Sequence, residues 1–95
     1  MKHLILAKFH TGVTDKAALL EPIRELFSTA DQIPGVHGVN VYPCCVERDN
    51  RYDVMISLDM DREALPLYDA SEMHRAWKRE YGDLLEKKAI FDFEM

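Results

Sequence analysis

Three residues in the C-terminal part of the chain have side chains of the types that acid–base sites use. Tyr68 and His74 lie six positions apart across a break in the helical pattern, and Asp92 follows within an apolar segment. A carboxylate among apolar neighbours is costly to bury unless it is paired. An imidazole is a natural partner, and its second nitrogen then remains free for proton transfer. His74 is therefore a candidate base held by Asp92, and Tyr68 a candidate donor of a hydrogen bond to a developing oxyanion, unless the same residues only hold the helix against the sheet.

The elements that must position these residues follow from the spacing of apolar side chains. Alternating apolar residues predict strands over 2–9, 36–42, 52–60 and 87–95. A first helix is predicted from a cap at Thr14 and Asp15, with apolar residues at helical spacing to Ile33 and a kink at Pro22. Ser71 is predicted to cap a last helix that ends near Glu86.

The resulting order, β-α-β-β-α-β, predicts an α+β fold over a single domain, residues 1–95. It is a ferredoxin-like antiparallel four-stranded sheet in the order 4-1-3-2, with the helices on one face. The opposite face carries apolar residues that nothing in the chain covers, namely Leu4, Leu6, Met55, Ala89, Phe91 and Phe93. A second copy would cover them, which predicts a homodimer through this open sheet face, a dimeric α/β barrel. The alternative is a monomer with a solvated face, which four polar residues on that side would permit: Lys8, Asp53, Ser57 and Asp59.

Element lengths predict that the polar residues meet at one end of the layer between helices and sheet. From a turn near Glu86, His74 is about 18 Å back along the helix and Asp92 about 20 Å along the strand. The first strand runs against the last, which brings His3 to the same end. We expect a pocket there for a small, partly apolar molecule, with these ligand contacts: His3, Ile5, Ala7, Val54, Ile56, Trp77 and Ile90.

Composition argues against several other functions. The net charge of −5 and the lack of a basic patch predict no nucleic-acid partner. The early apolar run is too short for a signal or a membrane span, so we predict a cytoplasmic protein with no membrane partner. No Gly-rich phosphate loop or zinc-ligand spacing occurs, so we predict no cofactor and no metal. Cys44 and Cys45 are interpreted as loop thiols that do not bridge, and 78–88 as a solvated helix face.

Four stretches of the sequence together resemble a known family. They are "KHLILAKF", "IPGV", "YDVMISLDM" and "AIFDFEM", and in this order they resemble the stress-responsive A/B barrel domain, called Dabb. The resemblance implies a dimeric α+β barrel. Members include plant stress proteins and a plant polyketide cyclase, and related barrels include monooxygenases that act without metals.

The cyclase of that family implies roles for individual residues here. A histidine and a tyrosine at the places of His74 and Tyr68 are its implied base and orienting hydroxyl, and a carboxylate at the place of Asp92 supports the histidine. This chain departs from the cyclase at two positions, with Val54 on the third strand and Ser71 before the helix where the cyclase has histidines.

Two functions follow from these expectations. The first is a non-catalytic binding or stress-protective dimer, in which His74 is a core histidine bonded to Asp92 and Tyr68 fills space. The alternative is a cofactor-free acid–base enzyme, a polyketide cyclase, isomerase or oxygenase, in which His74 removes a proton next to a carbonyl. An open pocket that touches His74 would favour the enzyme, and a filled one would favour the binding protein.

Overall fold

The computed structural model describes residues 1–94, and the four strands in this range form one antiparallel sheet. The strands are β1 (Lys2–Phe9), β2 (Val36–Pro43), β3 (Val54–Met60) and β4 (Leu85–Phe93). Their order is β2-β3-β1-β4, which is 4-1-3-2 when read from the other edge. The predicted ferredoxin-like fold is therefore confirmed. Met95, the last residue of the predicted strand 87–95, lies outside the described residues.

The predicted first helix is broken into three pieces. Asp15 caps a 3-10 helix (Lys16–Leu19), α1 spans Leu20–Phe27, and a second 3-10 turn spans Ala30–Gln32. Pro22 explains the first break, because a proline fits only in the first turn of an α-helix, where its missing N–H is not needed. The α-helix accordingly begins two residues before it.

The second helical region has two α-helices. A 3-10 turn (Arg62–Ala64) leads into α2 (Leu65–Asp69), and α3 (Glu72–Tyr81) follows. Ser71 caps α3 as predicted, since its hydroxyl oxygen accepts from the backbone N–H of His74 at 3.1 Å. The predicted end near Glu86 is wrong, because Gly82–Leu84 form a 3-10 turn and Leu85 already begins β4. None of the helices within residues 1–94 combines the length and the apolar character needed to cross a membrane.

The two faces of the sheet differ as the alternation along β1 predicts. Odd-numbered residues of β1 from His3 to Phe9 are buried against the helices, together with Trp77 and Phe27. On the other face, Leu4 and Leu6 of β1 lie opposite Phe91 and Ala89 of β4, and opposite Ser57 and Met55 of β3. Phe93 of β4 lies on the same face, opposite Lys2. Phe91 is the most open of them, with 62% of its surface exposed in the single chain.

Gly35 makes the turn between the first helical region and β2. Its φ is +85°, in the left-handed region that suits glycine. A Cβ added there would lie 2.8 Å from Cβ of Ala64, which precedes α2. The "IPGV" turn is thus also a point of close packing between the start of β2 and the helical segment that carries the site.

Candidate functional site

A cavity of about 300 Å³ opens between the helices and the end of the sheet where β1 begins. It brings together seven of the residues predicted from the sequence: His3, Ile5, Tyr68, His74, Trp77, Ile90 and Asp92. The other three predicted contacts do not line this cavity. Ala7 and Ile56 are fully buried in the core, and Val54 lies at a second cavity near the other end of the sheet.

Asp92 forms its bond with His3, and the predicted His74–Asp92 pair is not among the hydrogen bonds of residues 1–94. His3 and Asp92 are directly opposite in the β1–β4 ladder, and His3 Nδ1 bonds to Asp92 Oδ1. The early end of α3 explains the error. From Leu84, ten residues back to His74 span about 15 Å, whereas eight residues on to Asp92 span about 26 Å.

His74 is instead anchored to the C-terminal end of α2. Its Nδ1 lies 3.0 Å from the backbone oxygen of Asp69. A carbonyl oxygen can only accept, so Nδ1 carries the proton in this bond. In the neutral imidazole, Nε2 therefore holds the lone pair. In this tautomer, His74 can accept a proton at Nε2.

The surroundings of His74 favour that neutral form. Partial burial lowers the pKa of His74 below its usual value, the bond to Asp69 raises it, and the charges of Lys78 and Lys88 lower it further. The Asp69 charge opposes the two lysines to a lesser degree. The net effect of these neighbours is a lowered pKa of His74.

Tyr68 lies between the two histidines. Its ring centroid is 5.4 Å from that of His3 and 4.8 Å from that of His74. Its hydroxyl is buried and has no hydrogen-bond partner among residues 1–94. Burial, and then the Asp69 charge, raise the pKa of Tyr68, so the hydroxyl keeps its proton and can donate. A buried hydroxyl without a partner costs free energy that a ligand atom could recover.

The cavity also has four residues that the sequence analysis missed as site residues: Leu65, Asp69, Lys78 and Lys88. The segment 78–88 was interpreted as a solvated face, but its two end lysines border the cavity. The signals were present, because Lys78 is one helical turn after His74 and Lys88 shares the parity of Ile90 and Asp92. No group of three or more His, Cys, Asp or Glu side chains that could hold a metal ion occurs within residues 1–94.

The pairing of Asp92 with His3 gives a stability prediction. His3 is 5% exposed, so Asp92→Ala leaves a nearly buried imidazole without its partner. We expect a loss of about 1–3 kcal/mol in the free energy of unfolding, measured by urea denaturation. The control is Asp61→Ala, which removes the partner of the exposed His37 and is expected to cost less than about 1 kcal/mol. Equal effects of the two substitutions would contradict the buried pair.

The fold and the cavity define a class: a ferredoxin-like α+β domain with a small pocket between its helices and its sheet. A comparison of the sequence with protein-family models identifies the family. The model of the stress-responsive A/B barrel domain, Dabb, matches residues 1–95, and the chain belongs to this family. The resemblance that the four sequence stretches suggested is thereby confirmed.

Solved structures with the same fold come from several bacteria. A dimeric ferredoxin-like protein of unknown function from Thermobifida fusca superposes with a TM-score of 0.82 at 19% identity, over 99% of this chain and 89% of that one. A dimeric protein of unknown function from Bacteroides fragilis gives 0.82 at 16% identity, over 99% and 94%. A Dabb family protein from Mesorhizobium loti gives 0.73 at 18% identity, over 99% and 94%. No curated protein sequence matches the chain.

Proposed function

We propose that this chain forms a homodimer and binds a small, partly apolar molecule in the helix–sheet cavity. The observation that carries the proposal is the buried Tyr68 hydroxyl, which faces no partner within residues 1–94 and belongs to a residue of the cavity wall. Buried polar groups are nearly always hydrogen-bonded, and an exception at a cavity points to a ligand that supplies the bond.

The rest of the wall has the make-up of a ligand pocket. Apolar side chains form one part of it, from Ile5, Leu65, Trp77 and Ile90. Polar groups are concentrated around the two histidines. Sites for small molecules combine a mostly apolar wall with a few placed polar groups, in volumes from about 300 Å³ upwards. A cavity of about 300 Å³ suits a molecule of one or two rings.

The open sheet face supports the homodimer. In the single chain, Phe91 and Phe93 are exposed side by side with a centroid distance of 6.2 Å, beside the half-buried Leu4 and Leu6. A contiguous apolar sheet face needs a second layer. A second copy of the chain supplies it by two-fold symmetry, and the proteins from Thermobifida fusca and Bacteroides fragilis with this fold are described as dimeric.

Tyr68→Phe tests the carrying observation, because it is expected to change stability and binding in opposite directions. Without ligand, the variant loses an unpartnered buried hydroxyl and is expected to match or exceed the melting temperature of the wild type. Ligands that accept a hydrogen bond are expected to bind about 2- to 10-fold more weakly, from the loss of one hydrogen bond. Calorimetric titration with cyclic ketones and phenols measures both the affinity and its change.

Tyr81→Phe is the matched control for that experiment. Tyr81 is also buried and packs against Trp77 at 5.3 Å between centroids, but it does not line the cavity. Its substitution is expected to leave ligand affinity unchanged. Tyr68→Phe and Tyr81→Phe with equal affinities would contradict a role for the Tyr68 hydroxyl in binding.

A second candidate function is proton abstraction by His74 from a ligand in the same cavity. The observation that favours it is the bond from Nδ1 of His74 to the Asp69 carbonyl, which leaves Nε2 as the acceptor in the neutral ring. The open cavity beside His74 favours the same interpretation. Tyr68 then donates to the oxygen on which charge develops, as an enolate or phenolate forms.

A further inference from the structure

We propose that the molecule bound in the helix–sheet cavity is an anion, an apolar ring body that carries a carboxylate held by Lys78 and Lys88. This inference rests on the proposed binding function and names the chemical class of its ligand. Both lysines line the cavity, one from α3 and one from β4. They therefore approach it from its helix wall and from its sheet wall.

The two ammonium groups are free to take a ligand. The lysines that form ion pairs within residues 1–94 are Lys2, Lys8 and Lys16, so neither Lys78 nor Lys88 has one in that range. Both side chains are exposed, so an anion in the cavity can reach their ammonium groups from the solvent side. Both line the same cavity as His74, Asp69 and Asp92, which are among its polar residues.

The acidic residues of the cavity form no ion pair with these two lysines within residues 1–94. Asp92 is bonded to His3, and Asp69 is the remaining acidic residue of the wall. With the histidines neutral, the two carboxylates and the two ammonium groups of the wall balance in formal charge, so no excess of negative charge repels an anion there. A carboxylate on the ligand supplies the direct partner that both ammonium groups lack.

The ring body of the ligand follows from the rest of the wall. Trp77 and Ile90 add an aromatic and an aliphatic surface to the wall of the same cavity. An amphipathic anion would place its ring against these side chains and its carboxylate toward the solvent-facing ammonium groups. A cationic or strongly polar ligand would meet repulsion or leave the apolar wall uncovered.

The test compares each acid with its own amide on the full-length protein. Benzoate, 2-naphthoate and indole-3-acetate are titrated calorimetrically beside the corresponding carboxamides, which keep the shape and remove the charge. We expect at least one acid to bind the wild type about tenfold more tightly than its amide. Raising the salt concentration is expected to weaken the acid and to leave the amide unchanged. Lys78→Gln and Lys88→Gln are each expected to reduce the acid–amide ratio about two- to fivefold.

Lys87→Gln is the matched control. Lys87 is the neighbour of Lys88 on β4, points to the other face and lies 5.3 Å from the ring centroid of Tyr52. Its loss changes the net charge equally and is expected to leave the ratio at the wild-type value. Two results would overturn the anion proposal: an acid–amide affinity ratio near one in the wild type, or an unchanged ratio in the Lys78→Gln, Lys88→Gln double variant. If the amides still bind in either case, the proposed binding function stands. No binding of any acid or amide overturns both.

Discussion

The Phe91→Glu variant is expected to lose dimerisation completely, and with it much of its stability. Phe91 is 62% exposed in the single chain and stands on the apolar sheet face that we propose as the interface. A carboxylate placed there would be buried without a partner in the dimer, a cost of several kcal/mol for each copy. Because the interface has two-fold symmetry, the penalty occurs twice. Sedimentation velocity at micromolar concentration measures the result directly.

Leu67→Glu separates the effect of position from the effect of charge. Leu67 is similarly open, 51% exposed, but lies on α2 on the helix side of the molecule. It is expected to leave the dimer intact. Two results would contradict the proposed interface: a wild type that sediments as a monomer at micromolar concentration, or a Phe91→Glu variant that remains a dimer.

His74→Gln is expected to lose about 10²–10⁴-fold in rate if the cavity is an active site, while ligand binding persists. Glutamine keeps size and hydrogen bonding but cannot accept the proton. The assay follows turnover of enolisable ring ketones and β-polyketo compounds, with affinity measured separately. His37→Gln is the control, because His37 is exposed, bonds to Asp61 at 2.9 Å and lies away from the cavity.

The pH dependence of that rate has a defined sign. The base must be neutral, and the pKa of His74 is lowered, mainly by burial. The active form therefore persists at pH values where an ordinary imidazole, with a pKa of about 6.5, would be half protonated. We expect the acid limb of the wild-type profile to begin below pH 6.5. Binding without turnover of any tested compound by the wild type would leave the chain as a binding protein only.

The fold could be predicted because its signals are local and repeated. The alternation of apolar residues along β1 shows which face of the sheet each residue occupies. The right-handed crossover rule then places both helical regions on the same face of the four-stranded sheet. The Ser71 cap was equally readable, since a serine before a helical apolar pattern has a direct physical role. The break of the first helix was foreseen only as a kink at Pro22, because the sequence does not show which of the possible helix starts best accommodates a proline.

The site could be predicted as a location but not as a set of bonds. Asp92, His3 and His74 do line one cavity. Which histidine bonds to Asp92 depends on the height of α3 against β4, and a 3-10 turn of three residues changes that height by several ångströms. Similarly, Lys78 lies at the edge of the apolar stripe of α3, and Lys88 lies near the start of β4. At such positions the spacing of apolar residues does not distinguish the rim of a cavity from open solvent. Pairings of this kind require coordinates.

The hydroxyl of Ser71 has a wider consequence for how this pocket could change. It accepts from the backbone N–H of His74 at 3.1 Å and donates to the backbone oxygen of Tyr68 at 2.7 Å. A single hydroxyl thus ties together the backbones of the two residues that would orient and deprotonate a bound molecule. Substitution of Ser71 is therefore expected to disturb both residues at once, whereas the opposite wall of the cavity, on β1 and β4, can be changed without breaking this link.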